Sequence, residues 1–97
     1  MSKIAVVARI KAKSEFVDSV REQLIGLVEP TRTGDEGCID YDLYQDDEDP
    51  LLFYFLENWE SKELLEKHLA SEHVQSHLKN SEGMLEERVV KVLRKIS

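Results

Sequence analysis

Between residues 54 and 77 this 97-residue chain carries its only tryptophan and all three of its histidines. The same stretch holds Tyr54, Glu57 and Asn58, so ring-binding and proton-moving groups are densest there. Imidazole titrates near neutral pH and suits a general base. An indole offers a flat surface to an aromatic ligand. Glu57 and Trp59 share a parity with Phe53 and Phe55, so in a strand all four face one side. A buried carboxylate among aromatic groups must be paired or hydrogen-bonded. Glu57 is therefore either a polar anchor in an apolar cleft or the partner of Arg9 or another cation across the sheet. His68 sits beside Leu64, Leu65 and Leu69 at helical spacing. A satisfied core or cap histidine is the ordinary reading there. The arrival of Trp59 from the adjacent strand end strengthens the alternative, a base beside a ring-binding wall.

His73 and His77 lie four residues apart, on one face of an unbroken helix, a spacing that can hold half a metal site. No glutamate follows His73 in the HExxH manner, no cysteine is near and no third ligand is evident, so no metal is expected. A Gly-rich phosphate loop, GxGxxG and G-x-S-x-G are all absent, which leaves a nucleotide or flavin without support. No cofactor is expected.

Six elements must position these residues. Residues 3–11 read as a strand with Ile4, Val6, Ala8 and Ile10 on one face and Ala5 and Val7 on the other, the mark of a central strand. Ser14 reads as the N-cap of a helix whose stripe is Phe16, Val20, Leu24, Leu27 and Val28, with Pro30 and Gly34 as its stop. Residues 37–46 alternate, placing Ile39, Tyr41 and Leu43 inward and Asp40, Asp42 and Asp46 outward, as on an edge strand. An acidic turn through Pro50 leads to a strand at 51–60 that is apolar on both faces, completing a hairpin. Ser61 caps a second helix. An interruption at Ser71 and Glu72 precedes a helical stretch from Glu72 to Asn80, and Gly83 breaks it. Residues 86–96 form the last strand, apolar on both sides through Val89, Val90, Val92, Leu93 and Ile96.

The order βαββαβ predicts an α+β, ferredoxin-like fold: with right-handed crossovers, a four-stranded antiparallel sheet carries helices on one face and the first and third strands are central. A last strand apolar on both faces sits poorly at an edge, and the sheet face away from the helices needs cover. A second copy of the chain would supply it, so a face-to-face homodimer is expected.

Composition sets the outer limits. The length fits a single domain spanning 1–97 that buries roughly 65% of its extended-chain surface. With 34% charged residues and a net charge of −7, the chain would repel a polyanion, and no basic stripe offsets this. No nucleic-acid partner is expected. Nothing approaches a run of ~18 apolar residues, so no membrane partner is expected either. The opening residues lack a secretory pattern and Cys38 is the only cysteine, which together point to a reducing cytoplasm. Cys38, in an alternating strand, reads as a packed thiol rather than a nucleophile.

Residues 37–78 carry a family resemblance: Gly37-Cys38, Tyr41, the acidic turn ending in Asp49-Pro50, then Phe55, Glu57, Trp59-Glu60-Ser61, His68 and His73. The segment resembles the antibiotic biosynthesis monooxygenase domain family, in its small quinol-monooxygenase-like members. That resemblance implies a dimeric α+β barrel with an apolar cleft between helices and sheet. It implies oxidation of a quinol or polycyclic phenol by dioxygen without flavin, metal or haem. On that reading His68 is the base or proton relay and Trp59 part of the ring-binding wall, both counted as catalytic. Tyr54, Glu57, Asn58 and His73 are substrate contacts. Haem-degrading relatives look like this fold with an asparagine on the first strand and a tryptophan on the second helix. Here Ala8 and His68 stand in those places, and His77 is only near the haem-ligand position, which counts against haem. Because one scaffold hosts many functions, a non-catalytic small-molecule-binding dimer and a small-metabolite isomerase are the alternatives.

Overall fold

Apolar residues alternating at period two, separated by stretches at helical period, give a sheet with helices laid on it. The computed structural model describes residues 3–97. Strands β1 (Ile4–Ala12), β2 (Cys38–Gln45), β3 (Leu52–Trp59) and β4 (Leu85–Leu93) form one antiparallel sheet in the order β2-β3-β1-β4. Helix α1 (Val17–Gly34) joins β1 to β2, and α2 (Lys62–Leu69) and α3 (Glu72–Asn80) lie between β3 and β4. This is the ferredoxin-like βαββαβ arrangement. The two strands that read as central from their sequence, β1 and β3, pair with each other from Ile4–Trp59 to Lys11–Leu52.

Register sorts the side chains. Val6, Ala8 and Ile10 of β1 lie opposite Glu57, Phe55 and Phe53 of β3, and Tyr41 of β2 lies opposite Glu57 from the other side. These residues are buried, and Val20, Leu24 and Leu27 of α1 close over the same face with Leu65 of α2. On β4, Arg88, Val90 and Val92 fall opposite Ile10, Ala8 and Val6, so they belong to the same inner face.

Four local expectations change. The last strand ends at Leu93, so Ile96, expected within it, lies beyond it and is 89% exposed. Ser14 does not cap α1: Ser14–Phe16 form a single 3-10 turn that runs into the helix, with no side-chain cap. Of the stop expected at Pro30 and Gly34, Gly34 does end α1, whereas Pro30 lies inside the helix, which continues past it with Leu27 and Thr31, on either side of it, both buried in the core. Ile39 does not face inward. A register shift between Cys38 and Asp40 bulges it out of the ladder, leaving it exposed, while Tyr41 and Leu43 keep the inward parity. Ser61 and Ser71 do cap, their hydroxyls accepting from the N–H groups of Leu64 and Val74.

Candidate active site

Burial decides which residues share the site. Between the helices and the inner sheet face runs a cleft of about 430 Å³ counting its open mouth, of which about 40 Å³ admits the centre of a water molecule. Its apolar walls are Val6, Ala8, Leu27, Phe55, Leu65 and Val74, and its polar groups are Tyr41, Glu57, His68, His77 and Arg88. Leu69 and Val90 line it while remaining exposed, so they mark the mouth.

His68 reaches this cleft because Ser61 fixes the start of α2 and because position 68 falls one turn after Leu65, which is buried in the core. Its ring is 3% exposed. Asp35 meets it from the turn after α1, with Oδ2 at 2.5 Å from His68 Nδ1. That turn depends on Gly37, whose φ of +83° favours glycine and whose Cα faces Leu64 so closely that a Cβ would collide with it. The carboxylate fixes the ring orientation, placing the proton on Nδ1, and Nε2 makes no hydrogen bond among the described residues. Burial lowers the pKa of His68, and the hydrogen bond to Asp35 opposes that shift. A neutral imidazole held this way can accept a proton at Nε2.

Trp59 packs against the imidazole with the rings tilted by 37° and their centroids 4.6 Å apart, and Tyr41 meets it edge-on at 5.3 Å. The indole N–H donates to Glu57 Oε1 at 2.8 Å. Glu57 is buried, and its pKa rises to about 7 because burial disfavours the charged form, the Trp59 hydrogen bond only partly opposing it. Burial, and next the nearby Glu57, raise the Tyr41 phenol. On the far wall Arg88 donates to His77 Nε2 at 2.6 Å. Burial and the adjacent guanidinium push His77 down to about 4, so it stands neutral as an acceptor. Arg88 makes no ion pair among the described residues, leaving a positive charge at the cleft.

The sequence expectations divide. Glu57 and His68 line the cleft together, whereas Trp59 is 0% exposed and stands behind His68 rather than in the wall. Glu57 is paired with Trp59, not with Arg9, which lies on the opposite sheet face beside Glu87. Tyr54 and Asn58 have the opposite parity in β3 and lie on the outer face, so neither is a cleft contact in this chain. His73 is outside the cleft too: its Nε2 lies 2.9 Å from Asp35 Oδ2. His77 lines the cleft and His73 does not. Asp35, Tyr41, His77 and Arg88 were not among the expected site residues. Arg88 carried a signal, a lone cation in phase with Val90 and Val92. Asp35 carried none, because the turn at Gly37 brings it to His68 across 33 positions of sequence.

Residues 3–80 match the family model for antibiotic biosynthesis monooxygenase. The chain belongs to the antibiotic biosynthesis monooxygenase family. Members of this fold resemble it closely along their whole length. A protein from Pseudomonas aeruginosa, PA3566, superposes with a TM-score of 0.93 at 30% identity, covering 100% of this chain and 97% of that one. A conserved protein from Methanosarcina mazei Go1 is 33% identical with a TM-score of 0.89, over 99% of this chain and 95% of its own. A structure described as an antibiotic biosynthesis monooxygenase is 29% identical with a TM-score of 0.90, over 97% and 99%. Among curated proteins, none matches the chain. No helix among the described residues is long and apolar enough to cross a membrane.

Proposed function

We propose that this antibiotic biosynthesis monooxygenase family member is a cofactor-independent oxygenase that oxidises a quinol or polycyclic phenol with dioxygen. The observation that carries this reading is the cleft itself, where a carboxylate-oriented imidazole and a guanidinium face an aromatic-lined interior. Dioxygen is a triplet and reacts slowly with closed-shell molecules, so the protein's task is to make the substrate a good electron donor. His68 Nε2 takes the phenol proton, and Arg88 stabilises the resulting phenolate. The phenolate passes one electron to dioxygen, giving an aryloxyl radical and superoxide. These recombine at a ring carbon bearing hydrogen to give a peroxide anion, and the His68 imidazolium returns its proton to that anion, forming a hydroperoxide. Loss of water from it leaves a quinone carbonyl, so one dioxygen is consumed and one water released per ring oxidised. The dry walls keep water from the radical pair.

A ring-sized ligand needs more room than the present 40 Å³. Ligand pockets run to about 300–1,000 Å³. Entry therefore requires the mouth at Leu69 and Val90 to widen.

The homodimer belongs to the same proposal. Leu56 is 42% exposed and Leu93 46% on the outer sheet face, and Val92 is 48% exposed on the uncovered inner face of β4. Residues this apolar on a four-stranded sheet suit cover by a second copy. Light scattering at micromolar concentration should give twice the chain mass, and a monomer would remove the dimer from the account. A reducing cytoplasm suits the free thiol of Cys38.

Oxygen uptake with a panel of reduced naphthoquinones and polycyclic phenols, corrected for spontaneous oxidation, tests the activity. Uptake that requires the wild-type protein and falls in His68→Ala supports the proposal. No uptake above background on any substrate points instead to a binding dimer without turnover.

A further inference from the structure

We propose that Asp35, His68 and His73 form a binding site for a divalent transition-metal ion of the zinc type. One carboxylate oxygen, Asp35 Oδ2, is faced by two imidazole nitrogens: His68 Nδ1 at 2.5 Å and His73 Nε2 at 2.9 Å. All three donor atoms lie within 4.8 Å of one another. They come from three separate segments: the turn after α1, the last turn of α2 and the start of α3.

Two nitrogens and one carboxylate oxygen make a donor set that zinc takes readily, with an open position left for water. Magnesium and calcium prefer oxygen throughout. Around a tetrahedral zinc such donors stand about 3.3 Å apart. The present spacings of 2.5 and 2.9 Å are those of protons shared in hydrogen bonds, so an ion displaces those protons and the carboxylate oxygen parts from each imidazole nitrogen by less than about 1 Å.

The surroundings favour a fixed site with a way in. His68 is buried, Asp35 is held by the turn at Gly37, and Ser71 caps α3 while its hydroxyl lies 3.3 Å from His73 Nε2. A hollow of about 490 Å³ lined by Asp35, Lys67, His68 and Ser71 opens onto the cluster from solvent. Lys67, the cation on its rim, lies 3.3 Å from Glu36, which offsets its charge. The ion would sit on the Nδ1 side of His68, beside the apolar cleft rather than in it. Sequence spacing pairs His73 with His77, but the fold turns His77 to Arg88 and brings His73 to Asp35.

Metal binding does not depend on the oxidation proposed above. If that oxidation holds, an ion on Nδ1 leaves Nε2 as the N–H of the ring, so the metal-bound and base-competent states of His68 exclude each other.

The test is calorimetric titration of the full chain, free of any polyhistidine tag, with zinc chloride. Wild type and His77→Ala should each bind one ion per chain. His73→Ala and Asp35→Asn should bind at least about tenfold more weakly, and cobalt added to wild type should develop the visible spectrum of a nitrogen- and oxygen-ligated site. Circular dichroism checks the fold of each variant; should Asp35→Asn unfold, His73→Ala decides, at a side chain 25% exposed. Failure of wild type to bind zinc would overturn the proposal. So would equal affinity in wild type and His73→Ala, or an equal loss in His77→Ala.

Discussion

Strand β3 offers two faces built from the same eight residues, and they behave as different materials. Toward the helices it presents Phe53, Phe55, Glu57 and Trp59, all buried, with a carboxyl pushed up to about 7. Away from them it presents Tyr54, Leu56 and Asn58, where Asn58 donates to the exposed Asp40 at 3.0 Å. Parity alone separates a group that can do proton chemistry from one that only decorates a sheet. The difference lies in solvent. On the dry face a polar group has few partners, and its pKa moves; on the wet face, water screens each pair.

The comparison can be broken most forcefully at His68. His68→Ala should lower oxygen uptake about a hundredfold or more, the range expected for loss of a positioned base, while circular dichroism shows the fold retained. A rate within twofold of wild type would remove His68 from the mechanism.

Glu57→Gln sharpens it through stability. The folded pKa of Glu57 is raised from 4.5 to about 7, so the native state binds its proton more tightly than the unfolded chain. Its contribution is fully present below pH 4.5 and is lost as pH rises toward 7. At 1.36 kcal/mol per pKa unit this amounts to roughly 2–4 kcal/mol. The Gln variant should therefore be more stable than wild type at pH 8 in thermal or urea unfolding, and the gap should close by pH 4. His77 acts on the acid side. Its pKa is depressed to about 4, so the stability it gives above pH 6.5 is lost as pH falls through 4.

Arg88→Met keeps the length of the side chain and removes the charge. Oxygen uptake should fall about tenfold, a modest figure for a charge partly shared with His77. The smallest effect belongs to the outer face: Asn58→Ala should leave uptake within about twofold of wild type. A large loss there would show that the two faces are not functionally distinct.

Periodicity made most of the fold legible. The strands, the break at Ser71 and the central place of β1 and β3 all follow from apolar spacing and capping residues. Pro30 misled because burial of Leu27 and Thr31 outweighs a missing helical hydrogen bond. Half of the site was legible for the same reason: Glu57 lies in phase with Phe53 and Phe55, and His68 with Leu65. Trp59 was rightly associated with His68 but wrongly set in the cleft wall, since sequence cannot tell which residue stands in front. Tyr54 and Asn58 were grouped with Glu57 by nearness along the chain, which parity contradicts. Asp35 lies in a turn with no periodicity, and only the tertiary path through Gly37 brings it to His68.

The claim that the inner cleft is the working face is tested most directly by a heteronuclear NMR titration with a naphthol inert to oxygen. Shifts should concentrate at Tyr41, Phe55, Glu57, Leu65, His68 and Arg88. Shifts confined instead to Val7, Tyr54, Leu56 and Asn58 would place the ligand on the outer face and contradict the account.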